Sequence, residues 1–144
     1  MPSYYDPAKN RHVGAMDEHQ FYREADPVNA AYFEELLGRW TADGGQTKWG
    51  AGGVGLRASV EGNDTGICFL APAFGKKKDR IELSLTPLAK RIGVQACAAL
   101  KASLREAAGT RFKGSSMVSI VEPGELTKSE QSALSAALCR FLSR

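Results

Sequence analysis

A chain of 144 residues, 43% of them hydrophobic, is long enough for one core and too short for two ordinary domains, and a domain of this size buries about 68–70% of the surface its unfolded chain exposes. Disulfide or metal staples are therefore not required, and the three cysteines, Cys68, Cys97 and Cys139, odd in number and set among apolar or small neighbours, predict reduced, buried thiols in a cytoplasmic protein with no metal site. The formal net charge of +3 is unevenly spread: residues 1–71 hold 6 Lys/Arg against 10 Asp/Glu, a net of −4, and residues 72–144 hold 13 against 6, a net of +7.

No run of about 18 apolar residues occurs, and the start MPSYYDPAKNRH is polar, which predicts neither a membrane span nor a signal peptide. The first 25 residues carry Pro2, Pro7, Gly14 and many charges without a sustained period, and read as an N-terminal arm. Its aromatics Tyr4, Tyr5, Phe21 and Tyr22 suit docking on the domain or on a neighbouring subunit, with a disordered tail as the other reading. Residues 26–144 read as a single domain.

Asp26-Pro27 starts a helix to about Ala42, Asp26 accepting from first-turn amides and Pro27 standing where a missing N–H is harmless. Phe33, Leu36, Leu37 and Trp40 give it one apolar stripe, and Gly44-Gly45 an exit. Val54, Leu56, Ala58 and Val60 then alternate with Gly55, Arg57, Ser59 and Glu61, the period of a one-faced strand. The turn formers Glu61-Gly62-Asn63-Asp64 lead into Ile67-Cys68-Phe69-Leu70, apolar on both faces, and Pro72 ends that strand. Ile81, Leu83 and Leu85 alternate with Glu82, Ser84 and Thr86 in a third. Phe69 is expected in the core, its truncation to Ala costing about 3–5 kcal/mol.

Thr86-Pro87 opens a second helical stretch that Gly93 divides, the longer part running over 94–108 with Val94, Cys97, Leu100 and Leu104 inward. Met117 to Val121 offers a short strand, and Pro123-Gly124 a turn. A last helix over 128–142 starts at the capping-box pair Thr127 and Glu130 and buries Leu134, Ala137, Leu138, Phe141 and Leu142. The sum is an α+β domain, an antiparallel meander of three to five strands covered by two or three helices.

Gly50-Ala51-Gly52-Gly53-Val54-Gly55 matches G-x-G-x-x-G, but the polar segment before it and the strand after it are the wrong context for a pyrophosphate turn, so no nucleotide cofactor is expected. Cys68 lacks a neighbouring base, and His12 and His19 lack metal-ligand spacing. The basic half holds the better signal. Lys76, Lys77, Lys78 and Arg80 follow Phe74 on a loop between strands, and Lys90 and Arg91 come soon after, a basic-plus-aromatic set suited to phosphates and bases. The leading expectation is a cytoplasmic binding module, not an enzyme, engaging nucleic acid or an acidic protein partner through these residues. The alternatives are a small enzyme with a pocket between the turn at 50–55 and the helix starting near Thr86, and a homo-oligomeric accessory protein joined through its arm.

Overall fold

The computed structural model describes residues 4–9, 11–73, 78–109, 112–114 and 118–143. A two-stranded hairpin, β1 (Tyr4–Asp6) with β2 (Arg11–Val13), precedes α1 (Glu18–Glu24) and α2 (Pro27–Ala42). Then come β3 (Gln46–Gly50), β4 (Gly53–Val60), β5 (Asn63–Ala71) and β6 (Arg80–Ser84), followed by α3 (Leu85–Ile92), α4 (Val94–Ala108), β7 (Lys113–Gly114), β8 (Val118–Val121) and α5 (Lys128–Arg140). The main sheet runs β3-β4-β5-β6-β8-β7, antiparallel throughout, with β7 a two-residue edge. The α+β class and the antiparallel meander are those the hydrophobic pattern predicts, and the helical stretch opened by Thr86-Pro87 is divided at Gly93 into α3 and α4, with α1 as a further helix and β3 as an added strand.

Caps fix the helix starts. Asp26 accepts from Val28 N–H with Pro27 next to it, and Thr127 and Glu130 form a reciprocal capping box at the start of α5, each satisfying first-turn amides that have no partner inside the helix. Gly93, at φ 95, separates α3 from α4 in a conformation L-residues avoid. Leu85, expected as the end of a strand, is instead the first residue of α3, and it is buried all the same.

Register assigns the two faces of the sheet, since residues directly opposite in antiparallel strands share a side. Val54, Leu56 and Ala58 face Leu70, Cys68 and Thr65, with Ile81, Leu83 and Val121 beyond them. All are buried in one core with Phe33, Leu36, Trp40, Leu100, Leu134 and Leu138 from the helices. A bulge opposite Leu56 and Arg57 leaves Ile67 as an extra residue on β5, so Ile67 and Cys68 are buried side by side. Beyond it the alternation is reversed in phase, and Phe69 falls on the other face, half-buried rather than in the core as the apolar run predicts.

Within the stretch read as an arm, Met16, Phe21 and Ala25 are buried and belong to the core. Phe21 meets Phe33 and Trp49 at ring-centroid distances of 5.3 and 5.5 Å, and Met16 N–H donates to Gly50 O. Docking is therefore the arrangement of residues 16–25. Asp79, itself buried, ties the loop before β6 to α2: its carboxylate accepts from Asp26 N–H, Asn29 Nδ2 and Ala73 N–H at 2.9, 2.9 and 2.7 Å.

Candidate functional site

The outer face of the sheet carries the groups that the core face excludes. One row across it reads Lys48, Gly55, Phe69, Glu82, Ile120 and Lys113, each opposite the next in register. The neighbouring row brings Gln46, Arg57 and Gly66 together. Lys48 and Lys113 are exposed, while Arg57, Gly66 and Phe69 are half-buried. Glycine keeps this face low beneath Phe69. A Cβ at Gly53 would stand 2.1 Å from Leu70 O and 3.0 Å from the Phe69 ring, so no larger residue fits there, and Gly55 offers Phe69 no side chain across the strand pair.

Arg57 is held by its neighbour. Its Nε donates to both carboxylate oxygens of Asp64 at 2.9 and 3.0 Å, and Nη2 reaches Asp64 O at 3.5 Å. That fork leaves Nη1 directed at Gly66, 3.3 Å from where a Cβ would stand, and Arg91 Nη1, arriving from the last turn of α3, lies 3.7 Å from the same point. Two guanidiniums thus converge on a glycine with no side chain between them. Such donors suit an oxyanion, because each presents planar, permanently charged N–H groups.

The structure divides the residues singled out from sequence. Phe74, Lys76 and Lys77 lie outside the described residues. Lys78 is exposed and close enough to Glu125 to help depress its carboxyl. Arg80 is mostly buried, with Nε 2.5 Å from Glu82 Oε1. Lys90 lines a groove between α3 and α4, whereas Arg91, the next residue, reaches the sheet. Lys78 and Arg80 stand at one end of β6 and Lys90 and Arg91 beyond the other, so the described members do not form one patch. Arg57 and Lys48 were missed because charges alternating along a strand look like an ordinary wet face. The signal that could find Arg57 is its register opposite Gly66.

Other chemistry finds less support. Gly50-Ala51-Gly52-Gly53 is a two-residue turn between antiparallel strands, with Gly52 at φ 84, and leads into β4, not a helix. That turn and the start of α3 lie at opposite ends of the sheet, since Val54 aligns through Leu70 with Ile81, four residues before α3 begins. Burial raises the pKa of Cys68, Cys97 and Cys139, holding them as thiols. Among the described residues no group of three or more His, Cys, Asp or Glu could hold a metal ion, and no helix is long and apolar enough to cross a membrane. No family model, curated protein or solved structure matches the chain.

Proposed function

We propose that the protein is a non-enzymatic, cytoplasmic module that binds single-stranded nucleic acid across the outer face of its sheet. The observation that carries this reading is the convergence of Arg57 and Arg91 on Gly66, on the face that also presents Phe69 and Lys48. A phosphate between the two guanidiniums would set the strand's position. Phe69, diagonal to Arg57 across β4 and β5 at about 7–8 Å between Cα atoms, would offer a ring to an adjoining base, since every base has a stackable face. Lys48 would extend the positive track toward β3. Phosphate contacts position a strand and stacking tolerates any base, so the expected recognition is weakly sequence-dependent. Three buried free thiols support a reducing compartment.

Fluorescence anisotropy with labelled oligothymidylate and oligouridylate, at a series of salt concentrations, tests the reading. Each phosphate contact removed by Arg57→Gln or Arg91→Gln should reduce the magnitude of the log affinity against log salt slope by about 0.7. Phe69→Leu should weaken binding by roughly 1–3 kcal/mol with the slope unchanged. Loss of binding only when Lys76, Lys77 and Lys78 are replaced would move the interface to the loop. No binding even at low salt would overturn the nucleic-acid reading and leave an acidic protein as the anionic partner to seek.

A further inference from the structure

Among the described residues three large hydrophobic side chains stand exposed, and two of them, Val28 at 73% and Val94 at 76%, lie on surfaces of opposite charge. Val94, which the helical spacing places inward, is instead the exposed first residue of α4, and it borders the groove between α3 and α4, a space of about 420 Å³ lined by Leu85, Ala89 and Ala98 and edged by Lys90 and Lys101. Val28 begins the outward face of α2, where Ala31, Glu34, Glu35 and Gly38 follow at helical spacing, all exposed. Among the described residues none of Glu34, Glu35, Lys90 and Lys101 is engaged in an ion pair. Two unpaired carboxylates about two turns along α2 from one exposed valine thus match two unpaired ammonium groups that edge the groove bordered by the other.

We propose that the groove between α3 and α4 receives the outward face of α2 from a second copy of this chain. The small residues permit the approach: Ala31 and Gly38 keep that face flat, and a Cβ built on Gly38 meets nothing within 4 Å. Helices then pack with axes about 8–10 Å apart. Glu34 and Glu35 face Lys90 and Lys101 at the rim, while Val28 and Val94 leave water. The two surfaces differ, so the contact is heterologous: it closes when two copies reciprocate and otherwise propagates from one copy to the next. A helix laid in one groove is a small interface, so association is weak, and its exposed ion pairs are screened by salt. Arg39, also on α2, is turned to Asp43 at 4.0 Å and does not oppose the lysines.

Sedimentation velocity over a concentration series, at low and high salt, tests this with charge-swapped variants that leave Arg57 and Arg91 intact. The wild-type weight-average mass should rise with concentration and return to the monomer value at high salt. Glu34→Lys with Glu35→Lys, and separately Lys90→Glu with Lys101→Glu, should each stay monomeric, because like charges then meet at the groove. Their equimolar mixture should associate again, each acidic surface finding a basic one. Gly38→Arg, for which the monomer has room, should abolish association while leaving the circular dichroism melt undiminished. A wild type that stays monomeric at the highest concentration, a mixture that fails to associate, or single variants that still self-associate would each overturn the proposal.

Discussion

Trp40 illustrates how single residues hold this fold, because its ring is buried without exposure while its one polar atom must find a partner. Nε1 donates to Gln46 O and Arg57 O at 3.0 and 3.1 Å, clamping α2 to the β3–β4 pair. Trp40→Phe keeps most of the apolar area and loses this bond, so urea unfolding should register a loss of about 1–2 kcal/mol. Phe69→Ala belongs to another class. On the half-buried outer face it should cost about 1–2 kcal/mol, well short of the 3–5 for a fully buried ring. Gly53→Ala should destabilise by at least about 2 kcal/mol, as the new Cβ meets the Leu70 carbonyl. The thiols should react with iodoacetamide in order of access, Cys97 first, since it borders the α3–α4 groove beside Lys101 and its Sγ makes a weak bond to Leu85 O at 3.7 Å. Mass spectrometry of partly alkylated protein would reveal the order, and labelling of Cys68 or Cys139 before Cys97 would contradict it.

Turns and caps decide where the elements begin, and one of them is imperfect. Val60 and Asn63 are paired across a two-residue loop in which Glu61 (φ 53) and Gly62 (φ 83) both lie in the left-handed region. That is the geometry of a type I′ turn, which favours Asn, Asp or Gly at its first position. Glu61→Asn should therefore raise stability by about 0.5–1 kcal/mol in thermal or urea unfolding. Helices α2, α4 and α5 were legible in the sequence because each joins an apolar stripe to a marked start or stop: Asp26-Pro27 and Gly44, Gly93 and Gly109, Thr127 with Glu130. Helix α1 was not, since its seven residues are too few to display a period, although Asp17, accepting from Gln20 N–H, was a cap in plain view. The outer face escaped for a different reason. A strand's period tells which residues share a side, but only pairing tells that Arg57 sits opposite Gly66, and the bulge at Ile67 reverses the phase, so that Phe69, which an unbroken alternation from Thr65 would put in the core, falls on the outer face.

At the scale of the whole molecule, the acids perturbed by burial bind their protons more tightly when folded. Burial, with Glu18 and Glu34 nearby, pushes Tyr22 from 10.0 up to about 12, and burial raises Tyr32 and all three cysteines as well. A folded pKa above the unfolded one gives stability that is complete below the unfolded value and lost as pH climbs toward the folded one. The urea midpoint should accordingly fall from about pH 9 upward as thiols and then phenols of the unfolded chain ionise, and a midpoint that is flat or rising there would contradict the burial of these groups. Lys113 and Glu125, 2.6 Å apart, add the usual acid-side counterpart: the ammonium depresses the carboxyl, so what little this exposed pair contributes fades as pH drops through the carboxylate range. The Asp79 carboxylate joins parts of the chain that are otherwise far apart in sequence, because the amides of Asp26 and Ala73 both end on it. Breaking one bond frees the acceptor that orients the other, so these two amides should exchange with solvent deuterium as a pair, at one common opening free energy. In Asp79→Ala, which removes both acceptors, both should lose protection together, and the start of α2 and the end of β5 would then breathe as separate segments.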